Sequence, residues 1–158
     1  MQTDVVVLAA GKGTRMHSKT AKVLHQLAGK PLIQHVLETA QTLNPRTLAV
    51  VIGHQGAEIQ AALGATDELA ELVWVEQPQQ LGTGHAVKLA KESLPDDGVT
   101  LVLYGDVPLI SQATLSACEQ AAKLGSVGLV VAEFSNPAQL GRIVRNDEGL
   151  ITEIVEFK

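Results

Sequence analysis

A short loop near the start of the chain combines residue types that bind polyphosphates. An apolar run at residues 5–8 leads through two alanines into Gly-Lys-Gly-Thr-Arg at residues 11–15. A glycine-containing loop that leaves a parallel strand presents backbone N–H groups, which suit phosphate oxygens. The lysine and arginine add charge, and a guanidinium can bind two oxygens at once. The loop therefore predicts a nucleotide pocket at the carboxyl end of the first strand.

Two better-known phosphate loops do not fit this spacing. The dinucleotide fingerprint needs a third glycine where this chain has Met16, and the P-loop needs Gly-Lys-Ser/Thr at the end of a longer loop. A glycine turn that happens to carry surface cations is an alternative interpretation of the same residues. The rest of the chain must decide between the two.

The composition limits the class of protein. The chain has 158 residues, of which 46% are hydrophobic, so one globular domain with a substantial core is expected. A net charge of −5 and only 3% aromatic residues argue against a nucleic-acid partner, which would need a basic face or stacking platforms. The single cysteine, Cys118, excludes an internal disulfide and fits a reducing compartment. No apolar run approaches the roughly 20 residues that span a bilayer. We therefore expect a cytoplasmic protein without a membrane partner.

Apolar strands alternate with helical patterns along the chain, which predicts an α/β fold. Its mostly parallel central sheet would be flanked by helices on both faces. The expected strands cover residues 5–8, 48–52, 72–75, 99–104 and 127–134, and a hairpin covers residues 142–156. The expected helices cover residues 32–43, a short segment after 56, residues 84–94 with Thr83 as N-cap, and a segment from Ser111 to about 123.

Polar residues follow several of these strands, where open α/β sheets bind their ligands. Gln77 and Gln80 follow the third strand, and their amides could read the edge of a base. Asp106 follows the fourth strand, where a carboxylate could hold Mg²⁺, an ion that prefers oxygen ligands. An ordinary turn aspartate is the alternative. The five histidines share no common spacing, which argues against a histidine metal site or a Ser-His-Asp triad.

Three segments taken together resemble the sugar-nucleotide pyrophosphorylases, namely residues 8–16, 77–86 and 103–109. Among these the chain is most similar to the uridyltransferase domain of the bacterial bifunctional N-acetylglucosamine-1-phosphate uridyltransferases and glucosamine-1-phosphate acetyltransferases. The resemblance covers essentially the whole chain. It implies that residues 1–158 are a partial nucleotidyltransferase domain, truncated at its C-terminal side. The family's left-handed β-helix acetyltransferase domain and its homotrimer are then expected only in a longer chain.

The resemblance also implies a reaction and a set of roles. UTP and N-acetylglucosamine 1-phosphate would give UDP-N-acetylglucosamine and pyrophosphate, with Mg²⁺ as cofactor, supplying a precursor of peptidoglycan and lipopolysaccharide. The implied uridine contacts are Leu8, Ala9, Ala10, Gly11, Gln77, Gly82 and Thr83. The implied phosphate contacts are Arg15 and Lys22, the metal ligand is Asp106, Tyr104 and Gly105 line the site, and Gly141 and Glu156 hold the sugar.

The chain departs from the family pattern at two positions. Ala21 stands before the phosphate-binding lysine where the family usually has proline, and Phe157 follows the sugar-binding glutamate where the family usually has histidine. The family's second metal ligand would fall beyond residue 158, so we expect this chain to be incomplete for turnover. The alternatives are a pyrophosphorylase for another NTP and sugar phosphate, or a non-catalytic nucleotide sensor. Arg15, Lys22 and Asp106 together favour an enzyme.

Overall fold

A computed structural model describes residues 1–11, 13, 16, 18–65, 69 and 71–156 of the chain. Its strands are β1 (Thr3–Leu8), β2 (Gln26–Leu27), β3 (Lys30–Pro31), β4 (Thr47–Ile52), β5 (Val73–Glu76), β6 (Val99–Tyr104), β7 (Arg142–Arg145) and β8 (Ile151–Val155). Its α-helices are α1 (Leu32–Gln41), α2 (Gly56–Leu63), α3 (Thr83–Lys91) and α4 (Gln112–Lys123), and a short 3₁₀ helix covers Lys22–Leu24. None of these helices is long and apolar enough to cross a membrane.

The central sheet has four parallel strands in the order β5-β4-β1-β6. The apolar run of β1 leaves Val5, Val6 and Val7 fully buried, because this strand has neighbours on both sides and helices on both faces. At its carboxyl end, Leu8 pairs with Val51 of β4 and with Tyr104 of β6. The segments that follow these strands therefore leave from one edge of the sheet.

Helices cover both faces of the sheet, as predicted. On one face, α1, α2 and α4 bury a core that includes Val5, Leu37 and Leu115. On the other face, α3 packs with small residues, Ala86 and Ala90, against β1, β4 and β5. Helix α3 covers β1, β4 and β5 but leaves most of β6 uncovered on this face. Burial along β6 therefore alternates, and Val102 and Tyr104 remain 41% and 51% exposed.

The amino end of the sheet is fastened by an ion pair. The Asp4 carboxylate, only 2% exposed, accepts hydrogen bonds from Arg46 Nε at 3.1 Å and Nη2 at 2.6 Å. Arg46 also donates to Asp97 just before β6, and the hydrogen bonds to Asp4 and then Asp97 raise the pKa of Arg46. This two-pronged contact links β1, β4 and the entry to β6 at the end of the sheet remote from the nucleotide loop.

The predicted strand at residues 127–134 is wrong. The segment lies past α4 without strand pairing, and its apolar side chains Val127, Val131 and Phe134 are 93%, 49% and 57% exposed. Gly128 packs closely on α4, since a Cβ there would lie 2.8 Å from Cα of Cys118. The valine pattern indicates β propensity, but a strand also needs a neighbour with which to share hydrogen bonds.

The predicted hairpin is confirmed. Strands β7 and β8 pair antiparallel, and Ile143 lies opposite Ile154. The turn between them is held by the Asn146 side chain, whose Oδ1 accepts hydrogen bonds from the backbone N–H groups of Glu148 and Leu150. An asparagine that bonds its own backbone two residues on is a common way to close such a turn.

Candidate active site

A cavity of about 250 Å³ opens at the carboxyl edge of the sheet, where β1, β5 and β6 end. Ten of the site residues predicted from the sequence line it: Leu8, Ala9, Ala10, Gly11, Lys22, Gln77, Gly82, Thr83, Tyr104 and Asp106. Val23, Gln80 and Ala86 complete the lining. The topology thus brings the ends of β1, β5 and β6 and the 3₁₀ helix at Lys22–Leu24 to one place, as expected at the carboxyl edge of a parallel sheet.

The loop after β1 is held from both sides. Ala9 donates its backbone N–H to Val51 at 2.8 Å, so the chain follows β4 one residue past the strand. The carbonyl of Ala10 accepts a hydrogen bond of 2.6 Å from Nε2 of Gln80. Gly53 leaves room for this bond, because a Cβ at Gly53 would lie 2.7 Å from Gln80 Nε2. Gln80 therefore ties the loop after β1 to the loop after β5.

The segment between β5 and α3 presents a buried amide beside the cavity. Gln77 is 4% exposed, and its Nε2 lies 3.1 Å from the carbonyl oxygen of Gly82 and 3.1 Å from Nδ1 of His85. The prediction that Thr83 caps α3 is wrong: Gly82 precedes the helix with φ 103° and no side chain caps it. A left-handed φ favours glycine, which has no side chain to offer as a cap. The first N–H groups of α3 therefore lie beside the cavity without a side-chain cap.

The end of β6 turns tightly to present Asp106. Gly105 donates its N–H to the carbonyl of Leu8 at 3.0 Å, and a Cβ at Gly105 would lie 3.2 Å from that same oxygen. Gly105 does not line the cavity itself. Its lack of a side chain lets the chain cross closely behind β1, which places the Asp106 carboxylate at the mouth of the site.

Lys22 and Asp106 form an ion pair across the cavity, between Nζ and Oδ2. Lys22 begins the 3₁₀ helix, where the next residue, Val23, is buried in the main core and anchors the segment. Gly13 of the nucleotide loop packs on the lysine, since a Cβ at Gly13 would lie 2.9 Å from Lys22 Cβ. The cation predicted for phosphate and the carboxylate predicted for metal are therefore direct partners.

The donor set at Asp106 fits Mg²⁺ that arrives with a nucleotide. Among the described residues no three His, Cys, Asp or Glu side chains converge on one point. Asp106 nevertheless holds a cation already, the ammonium of Lys22. Since Mg²⁺ keeps several waters and is commonly bound by one or two carboxylates together with substrate phosphates, a lone accessible carboxylate suffices for part of its shell.

The predicted sugar contacts, Gly141 and Glu156, are not part of this cavity. Gly141 and Glu156 are neighbours on the hairpin, where a Cβ at Gly141 would lie 3.5 Å from Glu156 Oε2, but neither lines the cavity. Arg15 and Phe157 lie outside the described residues. The roles given to Arg15, Gly141 and Glu156 stay predictions.

Comparison with known proteins decides the family. A profile for the MobA-like NTP transferase domain matches residues 5–146. The chain belongs to this NTP transferase family. The match supports a role in nucleotidyl transfer and confirms that the carboxyl-edge cavity lies in a nucleotidyltransferase fold.

Curated relatives extend the comparison beyond the NTP transferase domain. The chain is 48% identical over 163 residues to the bifunctional protein GlmU of Legionella pneumophila subsp. pneumophila, and 50% identical over 155 residues to that of Neisseria meningitidis serogroup C. These alignments cover 100% and 98% of the chain but 34% and 33% of the relatives. The chain spans about a third of the length of the curated relatives it matches. The resemblance drawn from the three sequence segments is confirmed.

Solved structures of more distant proteins share the fold of this NTP transferase. A nucleotidyl transferase from Methanothermobacter thermautotroptrophicus superposes with a TM-score of 0.65 at 23% identity, covering 75% of this chain and 57% of that one. Rv0371c from Mycobacterium tuberculosis H37Rv gives a TM-score of 0.64 at 22% identity, covering 78% and 62%. At this identity the likeness concerns the fold alone.

Some cavity residues of the NTP transferase domain were missed by the site prediction. Val23 and Ala86 look like ordinary core residues in the sequence, and in the structure both are buried and also line the cavity. The sequence suggests Gln80 as an amide that could read a base, whereas in the structure its Nε2 donates to the carbonyl of Ala10. The spacing of the histidines argues only against a metal site or a triad and gives His85 no role, whereas in the structure His85 contacts the buried amide of Gln77.

Proposed function

We propose that this chain carries the nucleotide-handling residues for uridylyl transfer from UTP to N-acetylglucosamine 1-phosphate, giving UDP-N-acetylglucosamine and pyrophosphate. The observation that supports the proposal is the cavity at the carboxyl edge of the sheet. It combines a backbone loop, a buried glutamine amide and the paired charges of Lys22 and Asp106. The similarity to GlmU proteins supports the choice of substrates.

The reaction needs little covalent help from the protein. The phosphate oxygen of the sugar phosphate is already an anionic nucleophile, so it can attack the α-phosphorus while the bond to the departing pyrophosphate breaks. No general base is required, and the rate depends on alignment and on neutralising charge. Lys22 lies where its ammonium can move from Asp106 to phosphate oxygens, and Arg15 is proposed to share that task.

Different residues are proposed to bind the nucleotide and the sugar. The backbone from Leu8 to Gly11, together with Gln77, would hold the uracil and its ribose, because these residues line the cavity and are the uridine contacts that the resemblance implies. When Mg²⁺ is bound through Asp106, it would supply positive charge to the phosphates. Gly141 and Glu156 are proposed as sugar contacts on the resemblance to the pyrophosphorylases and on their being direct neighbours. Acetyl transfer and a homotrimer stay predictions for a longer chain.

Calorimetric titration of this chain with UTP, CTP, ATP and GTP in the presence of Mg²⁺ tests the nucleotide half of the proposal. We expect UTP to bind most tightly. Turnover is tested by pyrophosphate release from a chimaera in which residues 1–156 are followed by the remainder of the Neisseria relative. Each NTP is combined with N-acetylglucosamine 1-phosphate, glucosamine 1-phosphate or glucose 1-phosphate. A preference for another pair would show that the assigned substrates are wrong.

A matched pair of variants tests the metal assignment in the same chimaera. Asp106→Asn should abolish most turnover and leave UTP affinity within about threefold, because a neutral amide is a poorer ligand for Mg²⁺ while the base is bound elsewhere. Asp147→Asn removes a carboxylate from the exposed hairpin turn and should change neither quantity. Unchanged turnover in Asp106→Asn would refute the role of this carboxylate.

A further inference from the structure

The orientation of the Gln77 side-chain amide is fixed by its partners. The carbonyl oxygen of Gly82 can only accept, so the atom 3.1 Å away from it must be the amide nitrogen. The same Nε2 lies 3.1 Å from Nδ1 of His85, so its second hydrogen is donated to that ring nitrogen. Neutral His85 must then carry its hydrogen on Nε2, because Nδ1 is occupied as an acceptor.

This arrangement leaves the other end of the amide free for a ligand. Oε1 of Gln77 accepts no hydrogen bond from the described part of the chain. It is also not sealed inside the protein, since the one sealed side-chain atom without a partner among the described residues is Nε2 of His25. Gln77 is otherwise buried, and it lines both this cavity and a neighbouring pocket beside His54 and Pro78, so the accessible surface of Oε1 opens to one of the two.

We infer that His85 is a positioning residue that sets the choice of base, by holding Gln77 with its carbonyl oxygen toward the nucleotide. This inference rests on the proposed function and names a determinant of its specificity. An acceptor at that place matches the N3–H of uracil, whereas cytosine presents a bare N3, itself an acceptor. A site built to bond an N–H disfavours an analogue that lacks it.

Gly82 alone would not hold the amide equally well. The nitrogen of Gln77 carries two hydrogens. Because the residue is only 4% exposed, a hydrogen that lacks a protein partner is poorly placed to bond to water instead. Removing the acceptor at His85 leaves one of the two unsatisfied, which removes much of the preference for this orientation. The reversed amide would present N–H hydrogens to the cavity, and those suit the bare N3 of cytosine.

The test compares dissociation constants for UTP and CTP, measured by calorimetry with Mg²⁺ on the wild-type chain, His85→Leu and His85→Asn. We expect the wild type to favour UTP and the ratio to fall by about tenfold in His85→Leu, which is the effect of one modest hydrogen bond. In His85→Asn the side-chain oxygen can stand in for Nδ1, so the ratio should stay within about threefold of the wild type. A general packing defect would weaken both nucleotides equally.

The outcomes separate this inference from the proposed function. A wild-type chain that binds neither nucleotide overturns both. A wild-type chain that favours UTP, with an unchanged ratio in His85→Leu, overturns the role of His85 alone. If the leucine variant does not fold, ¹⁵N NMR of the wild type at neutral pH still decides: an unprotonated Nδ1 and a hydrogen on Nε2 support the inference, and a hydrogen on Nδ1 overturns it.

Discussion

Replacing Ala21 by proline should stabilise this chain. Ala21 has φ −52° and ψ 135°, within the range that the proline ring imposes near −65 ± 15°. Its backbone N–H donates no hydrogen bond within the described residues, so nothing is lost when the ring removes it. Ala21 is 3% exposed but lines a second cavity of about 200 Å³, which offers room for the added ring atoms.

The size of the effect follows from the unfolded chain. Proline restricts the unfolded backbone, and where the native conformation already suits it the gain is about 0.4–1 kcal/mol. For a domain of this length 1 kcal/mol corresponds to roughly 2–4 °C in melting temperature, so Ala21→Pro should melt about 1–4 °C higher. UTP affinity should not change, because the backbone that carries Lys22 keeps its conformation.

Thermal melts followed by circular dichroism measure the prediction, with Ala28→Pro as the matched control. Ala28 has φ 49°, which proline cannot adopt, so that variant should melt lower than the wild type. A lower melting temperature for Ala21→Pro itself would refute the reasoning. It would mean either that the ring meets core atoms or that Thr20 cannot take the extended backbone that a following proline requires.

Three further perturbations test the site and the core. Arg15→Lys in the chimaera should lower kcat more than it raises KM. We expect the activation free energy to rise by about 2 kcal/mol, because a lysine cannot bind two phosphate oxygens of the transition state at once. Gly13→Ala should cost about 1–2 kcal/mol of stability through its φ of 57° and should lower turnover by pushing on Lys22, whose Cβ lies 2.9 Å from the added carbon. The pKa of Glu119 lies below its usual 4.5, mainly because its carboxylate accepts a hydrogen bond from the Thr3 hydroxyl and secondly one from Lys123. The stability this gives is complete above that value and is lost as pH falls through the lower folded pKa, so Glu119→Gln should flatten the acid side of a stability profile.

Each of these has its own control. For Arg15→Lys the control is Arg145→Lys on the exposed hairpin, which should leave the kinetics unchanged. If Arg15→Lys raises KM and leaves kcat intact, Arg15 contacts the substrate in the ground state only. Gly125→Ala also places alanine at a positive φ, 82°, but with nothing within 4 Å, so it should cost stability without loss of turnover. Equal acid profiles for Glu119→Gln and the wild type would show that the contact with Thr3 adds nothing to stability.

The parts of the fold that the sequence predicts are those fixed by local pattern. Three consecutive valines in β1 require burial on both faces, which means a central strand, and parallel strands then bring their following loops to one edge. That reasoning predicts that the loop after β1, Gln77 and Asp106 lie at one edge of the sheet, and the family resemblance adds Lys22. It could not foresee that Lys22 and Asp106 pair with each other, because their contact depends on how the 3₁₀ helix sits against the end of β6.

The failures have equally specific causes. Residues 127–134 have the composition of a strand, but propensity does not supply a neighbour. Thr83 is a good capping residue by type, yet the start of α3 is set by a positive φ at Gly82, a property of the turn rather than of the threonine. His85 lies within the segment 77–86 that carries the family resemblance, but the residue pattern does not show that its ring nitrogen contacts the amide of Gln77, eight positions earlier.

The pairing of Lys22 with Asp106 also bears on how nucleotide binding at the cavity depends on salt. Opposite charges in contact cancel at a distance, so a free phosphate or a free metal ion approaching this mouth meets almost no net field from the two side chains. A ligand that carries both an anion and a cation can exchange partners with both groups in one event. Added electrolyte loosens the internal pair while it screens the incoming ligand, and the two effects oppose each other. Nucleotide affinity at this site should therefore fall less steeply with ionic strength than it would for an unpaired lysine.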